Sequence, residues 1–252
     1  MEQQIYFNYF LYAWIGLAIL IFPIQFRVTA PYGRHYKSGW GSGMSNRWGW
    51  LTMESVSFVV LSIFFLSSPG EPSKFAWFAY ILWSLHYIHR SFIFPFRTKT
   101  GGKLIPLSIV FSAVFFNVIN AGTNGYYLGY LENYSDSWFS DPRFIVGLIL
   151  FCIGVSVNVW ADNYLIRLRS NSSQGYQIPR GGFFEYISCP NHFGEMVEWI
   201  GFAVMCWNLP ACAFAIWTVA NLFPRAWSHH RWYKKEFENY PSDRKAVIPF
   251  LL

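Results

Sequence analysis

The run YFNYFLYAWIGLAILIFPIQF, residues Tyr6–Phe26, contains no charged side chain and decides the class of fold. A bilayer crossing needs about 20 predominantly apolar residues, and this run supplies them. It is too long for the core of a signal peptide, and Met1-Glu2-Gln3-Gln4 before it lacks a basic leader, so it reads as a retained first helix. Six further apolar runs follow: Met53–Ser67, Phe75–His86, Ile105–Ala121, Phe144–Val159, Met196–Trp207 and Ala211–Phe223. The expected fold is therefore all-α, a polytopic integral-membrane bundle of about seven transmembrane helices.

Composition agrees. Of 252 residues, 54% are hydrophobic and 22% aromatic, and only 13% are charged, against about a quarter in soluble domains. The abundance of Leu, Ile, Val and Phe excludes a disordered chain, and continuous apolar runs without period-2 alternation exclude a membrane β-barrel. Cys152, Cys189, Cys206 and Cys212 form no C-x-x-C and indicate neither a disulfide framework nor a zinc site. They are expected to be buried packing residues.

The net charge of +6 follows membrane topology rather than nucleic acid. Loop one carries Arg27, Arg34, Lys37 and Arg47 without an acid, and loop three carries Arg90, Arg97, Lys99 and Lys103, again without one. Loop five is basic through Arg167, Arg169 and Arg180, as is the tail, whereas the even loops are neutral or acidic, with Glu71 against Lys74 and with Glu132, Asp136 and Asp141 against Arg143. The positive-inside rule then places the N-terminus outside and the C-terminus in the cytosol, as an odd number of spans requires. No repeat or linker divides the chain, so residues 1–252 are expected to form one domain. An anionic, water-soluble partner would bind at its cytosolic face, and an apolar one would enter from the lipid.

Ionisable groups at membrane depth are costly and mark candidate sites. Glu54 opens the second span, and Tyr87 closes the third beside His86, His89 and Arg90. Asn158 and Asp162, spaced i, i+4, end the fifth. Glu195 and Glu198, spaced i, i+3, begin the sixth. All fall toward the cytosolic side in this topology. The plainer readings are a helix-terminal acid for Glu54 and an end-capping set for Asn158 and Asp162. Tyr176–Gly182 reads as a tight turn, and Pro190–Glu195 as a turn entering a helix whose first N–H groups suit an anion. Six histidines, two of them isolated, are too few for a histidine-box metal site, so no metal is expected. No Rossmann or Walker motif occurs. The tail interleaves Arg225, His229, His230, Arg231, Lys234, Lys235, Arg244 and Lys245 with Trp227, Trp232 and Tyr233, which suits membrane lipid or a nucleotide phosphate.

Several strings together resemble the steroid 5α-reductase (3-oxo-5α-steroid 4-dehydrogenase) family: His86–Phe92, Ile178–Ser188, Asn191–Glu195 with Glu198–Gly201, Arg225–Tyr233, and Tyr240-Pro241 with Arg244–Phe250. The resemblance runs over essentially the whole chain. It implies an integral-membrane enzyme, in a bacterial inner membrane or the endoplasmic reticulum, that uses NADPH at a cytosol-facing site to reduce the C4–C5 double bond of 3-oxo-Δ4 steroids. By resemblance Glu54 and Tyr87 bond the steroid 3-carbonyl, while Gly33, Trp50 and Met53 border the substrate. Arg90, Asn158, Asp162, Arg169, Tyr176, Asn191, Glu195, Arg225, His229, Tyr233 and Arg244 match positions associated with NADPH. Residues 1–100 would then serve the substrate carbonyl and 101–252 mainly the nucleotide, within a chain compatible with a monomer. Met53 stands where steroid-reducing relatives carry glutamine, which bears on carbonyl recognition. The alternatives are a reductase of another lipid, an enoyl thioester or polyprenol, and an isoprenylcysteine-type membrane methyltransferase.

Overall fold

The computed structural model describes residues 2–37, 39–100, 102–170 and 176–251. The helices are α1 (Glu2–Gln25), α2 (Asn46–Leu66), α3 (Lys74–Ile88), α4 (Phe94–Arg97), α5 (Leu107–Tyr126), α6 (Pro142–Ser170), α7 (Pro190–Cys206) and α8 (Leu209–Glu236). A short antiparallel ribbon, β1 (Gly43–Ser45) on β2 (Leu104–Pro106), is added to the helical expectation. Among the described residues four helical stretches, 2–25, 46–66, 107–131 and 142–170, are long and apolar enough to cross a membrane. Each of the other apolar runs also lies in a helix, and the many exposed apolar side chains, such as Tyr6, Leu20, Phe111, Phe115 and Ile149, suit a lipid surround.

Helix ends explain where the expected loops shift. The third apolar run does not stop at His86, because a π-helical turn over His89–Ile93 carries it into α4, so Arg90 and Arg97 are helical. The fifth continues well beyond Val159 to Ser170, which puts Asp162, Arg167 and Arg169 on α6. The bases from Arg225 to Lys235 likewise extend α8. Ser73 and Asn208 cap α3 and α8 by accepting from the backbone N–H of Ala76 and Ala211. Contrary to expectation only Cys189 and Cys206 are buried, while Cys152 and Cys212 are exposed, Cys212 because an apolar groove opens there beside α1 and α7.

The chain divides into two compact units, Met1–Thr29 with Ile145–Leu252, and Ala30–Phe144. In the first, α1 runs beside α8: the Trp217 indole N–H donates to the Trp14 carbonyl at 3.0 Å, the Gln25 amide to the Ala220 carbonyl at 3.1 Å, and the Thr29 and Ser228 hydroxyls meet at 2.9 Å. Helices α6 and α7 touch backbone to backbone. A Cβ added at Gly194 would lie 2.5 Å from the Asn158 nitrogen, and one at Gly147, Gly154 or Gly201 would strike Met205, Glu198 or Phe151. Small residues permit that approach in a membrane bundle, where no hydrophobic effect drives helices together. Beyond α8 the chain returns to the lead-in of α7 through a parallel bridge between Ile187 and Lys245.

In the second unit α2 packs on α5, again through glycine: a Cβ at Gly125 would lie 2.8 Å from the Leu61 carbonyl oxygen. Opposite the basic loops, Glu132 accepts from the backbone of Ser73 and Tyr134, and Lys74 pairs with Asp136 at 2.6 Å. An Arg143 fork holds the Asp141 carboxyl down at about 2.

Candidate functional site

The second unit carries the carbonyl-side candidates. Glu54 is half-buried on α2, one residue beyond Met53, whose carbonyl accepts from the Asn117 amide at 2.8 Å. Met53 itself is buried with Ile105 and Val110. Tyr87 is buried on α3 between Trp83 and His86, with ring separations of 5.2 Å and 5.0 Å. Arg90 is buried too. Its guanidinium lies 5.6 Å from the Trp50 ring and 4.6 Å from Phe94, an arrangement in which aromatic faces replace lost hydration. Trp50 also meets Tyr32 edge-on at 6.2 Å, while Gly33, itself exposed, starts a short 3-10 turn at φ +63°.

The first unit holds most nucleotide-side candidates, in two groups. In one, the Asn158 amide on α6 donates to the Asn191 carbonyl at 2.9 Å and to Glu195 Oε2 at 3.4 Å, and the Asn191 amide donates to Asp162 Oδ1 at 3.1 Å. The i, i+4 spacing puts Asn158 and Asp162 on one face of α6, and the start of α7 at Pro190 brings Asn191 and Glu195 to that face. Amide donors and carboxylate acceptors alternate along this row, a set able to bind both an amide and hydroxyls. His192 and His229 approach at 5.4 Å beside it.

In the other group, the Arg169 guanidinium lies 5.5 Å from the Tyr176 ring, and both line a small cleft with Leu165, Leu168, Gln177 and Tyr233. Arg225 and Arg244 are 7% and 1% exposed. Arg244 Nη1 donates to the Pro179 carbonyl at 3.1 Å, while its Nε and Nη2 are buried without a hydrogen-bond partner among the described residues. Glu185 Oε2 lies 3.9 Å from Nη2, beyond hydrogen-bond reach. A buried guanidinium with idle donors fits a phosphate oxygen. Of the turn expected over Tyr176–Gly182, residues 176–180 are irregular, and only Gly181 and Gly182, at φ +85° and +53°, bend the chain into a 3-10 helix over Gly182–Glu185, with Glu185 accepting from the Gly181 N–H.

Sequence reasoning missed two features. Asn117, Asn120 and Asn124 are all buried on α5, and their helical spacing inside an apolar run was the available signal. Ser188, His230 and Tyr240 form a buried cluster whose members lie 42 and 52 residues apart, a separation no periodicity reveals. An apolar groove of 730 Å³ lined by Ala18, Phe22, Ile200, Trp207, Ile216 and Ala220, among others, contains none of the expected site residues. Among the described residues no three His, Cys, Asp or Glu side chains gather as a metal site would require.

Residues 103–252 match the family model described as 3-oxo-5-alpha-steroid 4-dehydrogenase. The chain is 40% identical over 242 residues to 3-oxo-5-alpha-steroid 4-dehydrogenase 1 of Bos taurus, covering 94% of this chain and 93% of that protein. It is 38% identical over 250 residues to steroid 5-alpha-reductase DET2 of Solanum lycopersicum, covering 97% and 96%. With 3-oxo-5-alpha-steroid 4-dehydrogenase 2 of Homo sapiens it shares 38% identity over 226 residues, 87% of each chain.

Proposed function

Because this chain belongs to the 3-oxo-5-alpha-steroid 4-dehydrogenase family, we propose that it reduces the C4–C5 double bond of 3-oxo-Δ4 steroids with NADPH. The observation that carries this reading is similarity to named steroid reductases along nearly the full chain. The enzyme sits in a membrane that it crosses seven times, with its nucleotide residues toward the cytosol.

When bound, NADPH supplies the hydride that C5 of the enone accepts. As C5 accepts it, negative charge grows on the 3-oxygen, and a fixed donor at that oxygen lowers the barrier. Tyr87 donates its hydroxyl hydrogen there, and Glu54 in its protonated form donates alongside it or orients the tyrosine. C4 then takes a proton, which completes the addition of two hydrogens across the double bond. Met53 offers no amide, so carbonyl recognition rests on Tyr87 and Glu54, with Trp50 and Gly33 bordering the substrate. In the first unit Arg169, Arg225 and Arg244 serve the phosphates, the basic groups a 2′-phosphorylated dinucleotide needs. Asn158, Asp162, Asn191 and Glu195 serve the carboxamide and sugar hydroxyls, with Tyr176, His229 and Tyr233 around them, and Arg90 completes the set that the family resemblance assigns to NADPH.

The test is the purified chain in detergent with NADPH and progesterone or testosterone, followed by the loss of enone absorbance. The expected result is stoichiometric oxidation of NADPH and formation of the 5α-3-oxo product. Binding of S-adenosylmethionine without NADPH oxidation by any 4-ene-3-one would overturn the reading.

A further inference from the structure

The Ser188 hydroxyl lies where three segments of the first unit cross. Its oxygen is 2.6 Å from His230 Nδ1 on α8 and 2.6 Å from the Tyr240 hydroxyl beyond α8, and it donates to the Lys245 carbonyl at 3.1 Å. A serine hydroxyl has one hydrogen and two lone pairs. With the hydrogen given to Lys245, both lone pairs accept, one from the Tyr240 O–H and one from Nδ1–H of His230, and nothing is left over. Ser188, His230 and Tyr240 are 3%, 6% and 8% exposed, so these bonds form away from water, where losing one costs most. Backbone bonds frame the crossing: Ser188 N–H donates to Lys245 at 2.8 Å, Lys245 N–H to Tyr186 at 2.8 Å, and Cys189 N–H to Ala246 at 3.1 Å.

Tyr240 connects this crossing to the nucleotide side. Its ring stacks on Tyr233 at 5.3 Å with 12° between planes, and the Arg244 guanidinium lies 5.0 Å from it. Arg244 belongs to a segment, 237–251, with no helix or strand beyond the single Lys245 bridge. A long side chain on irregular backbone aims its charge well only if the backbone is held and the rotamer packed. Resting on the reading above, we propose that Ser188, His230 and Tyr240 are positioning residues, a clasp that sets Arg244 and Tyr233 for the cofactor's phosphate groups. His230 plays its part uncharged: burial, then Lys234 on its own helix and Arg244 and Lys245 from the tail, lower its pKa to about 4. A neutral imidazole there adds no charge beside Arg244.

The experiment uses the full chain in detergent and measures NADPH affinity by fluorescence together with the split of steady-state constants. Ser188→Ala removes the centre of the clasp. Tyr240→Phe removes a single oxygen while keeping the ring beneath Arg244, which guards against a folding defect in the first variant. Each should raise Kd and KM for NADPH about fivefold to tenfold, the effect of one lost buried hydrogen bond, with kcat at saturating NADPH and KM for steroid within twofold of wild type. In an Arg244→Ala background the same changes should add little, because the clasp acts largely through that arginine. Folded single variants with wild-type NADPH affinity, or effects that add in full to Arg244→Ala, would sink the clasp. If Arg244→Ala itself binds NADPH as wild type does, the nucleotide assignment fails and takes the clasp with it. Weakening by Arg244→Ala alone removes the clasp and leaves that assignment standing.

Discussion

Tyr87 concentrates the proposed chemistry into one oxygen. It is 4% exposed, so its hydroxyl acts where water competes little for the substrate carbonyl. Removing a donor from a developing oxyanion typically costs about 10²–10³ in turnover. Tyr87→Phe and Glu54→Gln should therefore each lower kcat by about that factor, with NADPH affinity within twofold, as stopped-flow binding and enone absorbance will read. Wild-type turnover in both variants would remove the pair from the reaction. A second residue-scale consequence concerns pH. His230 titrates at about 4 in the fold and near 6.5 unfolded, so the unfolded chain binds the extra proton first. Its stabilising contribution is complete above pH 6.5 and is lost as pH falls toward 4. Melting temperatures in detergent at pH 7.5 and pH 5 should fall less for His230→Gln than for wild type, and parallel curves would show that the imidazole does not contribute this way.

At the scale of elements, the most constrained contact is α6 against α7. Gly147 and Gly154 are seven residues apart, as are Gly194 and Gly201, so each pair lies on one helical face where the two backbones meet. The approach is what lets the Asn158 amide reach the Asn191 carbonyl at 2.9 Å. Gly154→Ala or Gly194→Ala should push the helices apart, destabilise the protein by about 1–3 kcal/mol, and weaken nucleotide binding more than steroid binding. Gly16→Ala on α1, where an added Cβ meets nothing within 4 Å, is the control that should change neither. Thermal unfolding and NADPH titration decide it, and equal effects at Gly154 and Gly16 would refute the contact. This contact also shows what the sequence conveys. The helices were legible because apolar length is local, and so was the shared face of Asn158 and Asp162. The meaning of the glycines was not, because a stripe of small residues acquires its role only from the helix it faces. Ser188 was hidden for the same reason: its partners at 230 and 240 arrive only when α8 has folded back.

For the molecule as a whole, contacts within the first unit constrain how the chain threads a membrane. The Ile187–Lys245 bridge and the Ser188 hydrogen bonds hold the lead-in of α7 against the tail after α8, so in the proposed seven-span topology α7 and α8 must together make an even number of crossings. Helix α8 alone has 28 residues, and α7 has 17, about 25 Å of rise, lengths that are compatible with the proposed topology, in which each crosses once as a hairpin. Successive contacts Trp14–Trp217, Gln25–Ala220 and Thr29–Ser228 show α1 parallel to α8. The N-terminus therefore lies at the end of this unit opposite the tail. The tail end also carries Arg27, Arg167, Arg169, Arg180, Arg231, Lys234 and Lys235, the basic excess that marks a cytosolic face. In a chain whose native cysteines are replaced, Arg180→Cys and Ser242→Cys should react with a membrane-impermeant maleimide only from the cytosolic side. Gln3→Cys should react only from the other. Labelling of Arg180→Cys and Ser242→Cys from opposite sides would mean that only one of α7 and α8 crosses, and labelling of all three from one side would reverse the assignment of α1.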